Sequence, residues 1–412
     1  MNSSSSGDRA AHTIARCREL ARISDVEGET TRTFLSEATK GAHALLLSWM
    51  MRAGLETRTD DAGNVRGLRR STEPGAPTLL FFSHIDTVPN AGAFDGPLGV
   101  LLALTVVEEL GHTPLPFDIE LIAFSEEEGV RFGFPFLSSL AVTGQLTAEH
   151  LAKTDADGIT VEQAIRSFGL HPERIAQSCP LPPRTFAAVE VHIEQGPVLE
   201  AEDGSLAVVE SIIGQSRFAL TFTGHANHAG TTPMSLRSDA LAAAAQWITE
   251  VERLALEHTQ LVATVGRIEA LPGAVNVVPG EVRVSLDVRH PSDAARHAAV
   301  AMLLTRAEAS GAARGVEVSA RVQMEQRAVP MDRPLTDQLD VASQRAGYAA
   351  RRMFSGAGHD AMILAPHVPT TMLFLRSPGG LSHHPDEDVR EQDVEAAIAT
   401  VLEFVTSLRP TQ

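Results

Sequence analysis

Two short apolar runs that end abruptly in ionisable side chains constrain this chain more than any other feature. PTLLFFSHID (77–86) and FDIELIAFSEEEG (117–129) each read as a buried strand followed by a polar loop. Between them GVLLALTVVEELGH (99–112) has the length and unbroken apolarity of a buried helix, closed by Gly111. Strand, helix and strand in that order predict an α/β sheet flanked by helices, with reactive groups gathered at the carboxyl ends of the strands.

The same texture extends along the chain. Residues 8–24 and 36–54 carry apolar positions at helical spacing. LETRTDDAGNVRGLR (55–69) reads as strand, turn and strand around Asp-Ala-Gly-Asn. Beyond Ile212 the pattern changes: SRFALTFTGHANHAG is a strand, SDALAAAAQWITEVERLALEH a helix, LVATVGRIEAL and EVRVSLDVRH two strands, SDAARHAAVAMLLTRAEASG a helix and VEVSARVQME a strand. That β-α-β-β-α-β order is the ferredoxin-like split βαβ unit. The expected organisation is therefore a discontinuous mixed-sheet α/β domain, 1–212 and 330–412, interrupted by an inserted ferredoxin-like domain, 213–329.

Charge and cysteine content narrow the partners. With 34 Lys and Arg against 52 Asp and Glu the formal charge is −18, which argues against a nucleic-acid backbone or an anionic membrane. Local arginines can still receive an anionic small molecule. Cys17 and Cys179 are far apart and form no thiolate zinc motif or disulfide framework, so a reducing compartment is expected. MNSSSSGDRAAHT lacks the apolar core of a secretory signal, and no run nears the roughly 18 apolar residues that span a bilayer. A cytoplasmic protein is the expectation.

Four segments hold clustered imidazoles and carboxylates: SHIDTVPNAGAFDGPLG with His84, Asp86 and Asp95; FSEEEGVRFG with Glu126, Glu127 and Glu128; VHIEQGPVLE with His192 and Glu194; and LSHHPDE with His383 and His384. Each has a bland alternative. A His-x-Asp pair is usually structural, an acidic run usually solvated, a histidine between Val191 and Ile193 a satisfied core residue, and a histidine pair in a Gly-rich loop a surface feature. Four such segments, each beside Gly or Pro turn chemistry, point instead to a centre for zinc, manganese, cobalt or nickel. Asp86, two residues from His84, can orient that imidazole. Asp95, ahead of Gly96, can give one oxygen to each of two cations. Of adjacent glutamates, one can bind a cation while the other handles a proton.

These segments resemble the amidase/carbamoylase branch of the two-metal aminoacylase and carboxypeptidase superfamily, which includes N-carbamoyl-L-amino-acid hydrolases and allantoate amidohydrolases. The resemblance rests on SHIDTVPNAGAFDGPLG, SEEEGVRF, HIEQGPVLE, GHANHAGTTPM, GAVNVVPGEVRVSLDVRH, SGAGHDAM and GGLSHHPDE, in the family's order from about residue 83 to 387. It implies that His84, Asp95 and His192 hold one divalent metal ion and that Asp95, Glu128 and His383 hold a second. It implies Glu127 as general base, Asp86 as support for His84, and His228 as the oxyanion donor. Gln195, Asn276, Arg289, Gly358 and His359 are implied as substrate contacts.

The implied reaction is cleavage of a carbamoyl or ureido C–N bond in a small carboxylate such as allantoate or an N-carbamoyl-L-amino acid, releasing ammonia and carbon dioxide. Two cations about 3.5–4 Å apart would activate a shared water. The inserted domain would act as lid and dimerisation element of a homodimer, with His228 serving its own or the partner subunit. An aminoacylase- or dipeptidase-like hydrolase is the alternative within enzymes, and a metal-dead binding protein the alternative outside them. Three positions depart from the family pattern: Phe82 stands in place of a common Gly, Arg376 in place of a common Pro, and His384 follows directly on His383.

Overall fold

The computed structural model describes residues 6–410, so the polar start Met1–Ser5 lies outside it. The chain divides into two compact units, Met1–Glu210 with Pro330–Gln412 and Ser211–Val329.

The larger unit is built on a nine-stranded mixed sheet. Its order runs Glu56–Thr59, Val65–Arg69, Asp118–Phe124, Thr78–His84, Thr185–Ile193, Thr370–Leu375, Leu206–Ile212 and Val329–Pro330, with Ala350–Ser355 also pairing Leu206–Ile212. The four central strands from Asp118–Phe124 to Thr370–Leu375 are parallel, so their carboxyl ends share one edge. Antiparallel neighbours flank them.

Side-chain alternation assigns the two faces. Leu79, Phe81, Leu121, Val189, Val191 and Leu373 join the core beneath helix Pro97–Leu110 and helix Glu391–Ser407. The intervening residues Leu80, Phe82, Glu190 and Phe374 point the other way and are equally buried. Phe82 meets Phe124 edge-on at 5.9 Å, so the residue standing for a glycine fills the core behind His84.

Helix Pro97–Leu110 is placed by two glycines. Gly96 caps it at φ 84°, and a Cβ there would lie 2.4 Å from the His84 ring. At Gly99 a Cβ would lie 2.0 Å from the Val191 carbonyl oxygen, so only glycine permits this approach of helix to strand. Burial of its leucines and valines contributes about 1.5–3 kcal/mol each.

The smaller unit has an antiparallel sheet in the order Ile268–Leu271, Glu281–His290, Gly214–Thr223, Glu317–Gln326, with Val262–Thr264 also paired to Glu281–His290. Helices Ala240–Glu257 and Asp293–Ala312 cover one face through Phe218, Leu220, Phe222, Trp247, Val284, Leu286 and Leu303. This is the split βαβ topology that the sequence predicts. One segment differs: LVATVGRIEAL forms two short strands rather than one, both on the same partner.

Candidate metal centre and its surroundings

His84 closes its strand and His192 is the penultimate residue of the neighbouring one, so parallel pairing brings the two imidazoles side by side. Their Nε2 atoms stand 3.3 Å apart, with ring centroids 5.5 Å apart. Each ring commits Nδ1 to a main-chain carbonyl, His84 to Asp86 at 3.1 Å and His192 to Ile193 at 3.0 Å. In the tautomer with the proton on Nδ1, both Nε2 lone pairs would converge on one point. Asp95 Oδ1, 3.3 Å from His192 Nε2 and 3.7 Å from His84 Nε2, is buried and accepts no hydrogen bond. Three electron-pair donors facing one another repel unless positive charge lies between them, which is the donor set of a divalent cation. The same field acts on a proton: burial opposes charge on His84, but Asp86 and Asp95 outweigh it and hold its pKa well above the usual range. Burial pushes His192 down to about 4, leaving a neutral ligand.

The other oxygen of Asp95 faces a second donor set. His383 Nε2 lies 3.2 Å from Asp95 Oδ2 and 3.4 Å from Glu128 Oε1. Ligating atoms of His84, Asp95 and His192 fall within 4.8 Å of one another, as do those of Asp95, Glu128 and His383. Asp95 belongs to both groups. His383 sits in a loop beyond the short turn Pro378–Gly380, at φ 56°, rather than at a strand end. His384 turns away, its Nδ1 accepting the Asp386 backbone N–H, which separates the two adjacent histidines.

Asp86 lies past the end of its strand and does more than face His84. Its carboxylate accepts the backbone N–H groups of Glu127 and Glu128, each at 3.0 Å, and so shapes the turn that carries both acids. A ligating atom of Glu127 lies within 4.8 Å of His84 and Glu128. Burial holds the Glu127 carboxyl well above the usual range, His84 opposes the shift, and Glu128, Asp360 and Asp86 add to it. Glu126 is buried, with neither side-chain oxygen accepting a hydrogen bond.

The remaining expected residues are distributed as follows. Gln195, at φ 57°, donates its side-chain amide to Asp95 Oδ2 at 2.9 Å and to Ser382 Oγ at 3.2 Å. His359 lies behind His192, edge-on at 4.5 Å and buried, with Nε2 on Ser355 Oγ at 2.8 Å. Gly358 packs beside the Phe136 ring. In the smaller unit His228 is exposed and pairs in register with Val277, while the Asn276 carbonyl accepts the Ala229 N–H. Arg289 lies two residues from Asp287 on the helix-free face and donates to both its oxygens, at 2.9 and 3.1 Å. Arg376 is buried, with its guanidinium on Asp393 at 2.8 and 3.0 Å and on Asp203 at 3.0 Å, an internal tie to helix Glu391–Ser407.

Three neighbours of the donor sets escaped the sequence reading. Ser382 donates to Asp95 Oδ2 at 2.6 Å. A carboxylate oxygen of Glu190 lies within 4.8 Å of ring nitrogens of His192 and His359. Glu387 accepts the backbone N–H groups of Phe94 and Asp95. Ser382 and Glu387 both lie inside LSHHPDE, and of the two the acid carried the signal, since acids next to a ligand loop are frequent supports.

Comparison with known proteins gives the chain's family. The profile described as Peptidase family M20/M25/M40 matches residues 80–407. An allantoate deiminase of Arabidopsis thaliana is 38% identical over 429 residues, covering 96% of this chain and 81% of that protein. An N-carbamoyl-L-amino acid amidohydrolase of Geobacillus stearothermophilus is 38% identical over 400 residues, covering 95% and 97%. Among solved structures, an amidase of the hydantoinase/carbamoylase family from Burkholderia multivorans superposes with a TM-score of 0.90 at 34% identity, covering 97% of each chain.

Proposed function

The chain belongs to peptidase family M20/M25/M40, and from that premise we propose that it is a metal-dependent amidohydrolase cleaving the carbamoyl or ureido C–N bond of a small carboxylate. Allantoate and N-carbamoyl-L-amino acids are the substrates we propose, because proteins acting on them by name are 34–38% identical over nearly the whole chain. The observation that carries the reading is Asp95, whose two oxygens face two separate donor sets.

His84, Asp95 and His192 would hold one divalent cation, and Asp95, Glu128 and His383 the other, with zinc, manganese, cobalt and nickel all suited to mixed imidazole and carboxylate donors. When bound, the pair supplies Lewis acidity and a water acidic enough to be deprotonated near neutrality. Glu127 takes a proton at its carboxylate and returns it to the departing nitrogen, a role favoured by a carboxyl whose affinity for protons burial has raised. Asp86 orients this base through its backbone N–H rather than through its side chain. We assign Arg289 to the substrate carboxylate, the anion for which a planar guanidinium fork is matched, and Asn276 and Gln195 to further polar contacts. His228 is assigned to the oxyanion, where one donor is typically worth a few kcal/mol. His359 reaches the site through His192.

The proposal includes a homodimer in a reducing cytoplasm. Two buried free thiols support the compartment, Cys179 pushed up to about 12 by burial. Among the described residues no helix is long and apolar enough to cross a membrane.

The deciding experiment is ammonia release from allantoate and a series of N-carbamoyl-L-amino acids, with manganese, zinc, cobalt or nickel added in turn. N-acetyl amino acids and dipeptides serve as controls. Release from the ureido acids alone is expected. Turnover of the controls without ammonia release from any ureido acid would move the chain to an aminoacylase- or dipeptidase-like reaction.

A further inference from the structure

Glu387 comes from the loop that carries His383, yet its side chain ends in a different loop. One carboxylate oxygen, Oε1, accepts the backbone N–H groups of Phe94 at 2.9 Å and Asp95 at 3.0 Å. The side chain is buried, and its other oxygen accepts no hydrogen bond. Room for it is made by Gly92, where a Cβ would lie 2.4 Å from the Glu387 Cβ. A buried carboxylate is retained against its desolvation cost when specific donors fix it, and here both donors belong to the backbone that presents Asp95. The turn between the two histidine-loop residues is itself closed, the Glu387 N–H donating to the His384 carbonyl.

We infer that Glu387 is a positioning residue that sets Asp95 across the two cation sites and locks the Asp95 loop to the His383 loop. It touches neither cation nor substrate. Because each oxygen of Asp95 faces a different donor set, a small rotation of its backbone would tilt both sites at once. The inference rests on the reading of Asp95 as a shared ligand.

The test is metal titration of the chelator-stripped protein with manganese, followed by equilibrium dialysis and by the spin-coupled electron paramagnetic resonance signal of the pair. Glu387→Ala removes the acceptor. Glu387→Asp withdraws it by one methylene, and serves if the alanine variant does not fold. Glu387→Gln keeps an oxygen at the same reach. Loss of 10–100-fold in manganese affinity is expected for Ala or Asp, the usual effect of losing a support for a ligand. The paired signal should change with it, and Gln should restore both. A merely structural role would lower melting temperature without altering affinity in the folded fraction. Parental affinity in the Ala or Asp variant overturns the inference, as does a Gln variant as weak as Ala. A parent protein that binds no pair of ions overturns both this inference and the reading beneath it.

Discussion

His84 and His192 direct their Nε2 atoms at each other across 3.3 Å while their Nδ1 atoms are held by the carbonyls of Asp86 and Ile193. A proton on His84 or a cation can occupy the space between them, and a cation that binds only the folded arrangement stabilises it by mass action. Chelator treatment is expected to lower the melting temperature, and manganese or zinc to restore it. With free metal at roughly 100 to 1,000 times Kd, the gain is about 3–4 kcal/mol. Calorimetry with and without chelator checks this, and an unchanged transition would contradict it.

Glu127 and Glu128 are neighbours with separate assignments, one for the proton and one for the cation. Glu127→Gln is expected to lower kcat by about 10²–10⁴-fold while two ions remain bound. Glu128→Gln is expected to lower metal content as well. Metal analysis alongside steady-state kinetics separates the two, and near-parental turnover of Glu127→Gln would remove it from the mechanism.

Arg376 is buried against Asp393, and its expected part is in packing and not in substrate choice. Replacing it with methionine leaves Asp393 buried opposite an apolar side chain, at a cost of about 3–5 kcal/mol. Urea unfolding of Arg376→Met should show that loss, while the relative kcat/KM for different ureido acids stays as in the parent. A changed substrate preference would count against this assignment.

His43 on helix Glu37–Arg52 is buried beside Phe168 and 3.2 Å from Ser125 Oγ. Burial, aided by the charge of Arg32, lowers its pKa from 6.5 to about 4. The folded state thus favours the neutral ring, and its contribution to stability is complete above pH 6.5. That contribution fades as pH falls from 6.5 towards 4, by about 3 kcal/mol in all. His43→Leu cannot take a proton, so the difference between parent and variant unfolding curves should narrow over that window as the parent loses stability. A difference independent of pH would refute the shift.

Much of this architecture was legible because period-two and helical patterns are local. The runs ending at His84 and Phe124 became adjacent parallel strands, and the β-α-β-β-α-β order of the smaller unit followed from pattern alone. His383 could be told from His384 only by geometry, since two adjacent histidines share every sequence neighbour. Arg376 stood out in the sequence only as a departure from the family pattern, because its partner Asp393 lies on a later helix that no short pattern connects to it. Gln195 was expected at the substrate and is found donating to Asp95. Glu387 and Ser382 act on a residue almost three hundred positions away in sequence, a distance over which spacing carries no information.

The two halves of the centre differ in access. Side chains of His84, Asp95 and His192 are 2%, 4% and 1% exposed, whereas His383 is 48% exposed. An ion on the His383 side could therefore be traded with solvent by swinging one loop residue, while one on the His192 side is walled in by strand ends. Stripping should proceed in two kinetic phases, and a protein refilled with a mixture of metals should keep a memory of whichever arrived first at the enclosed position.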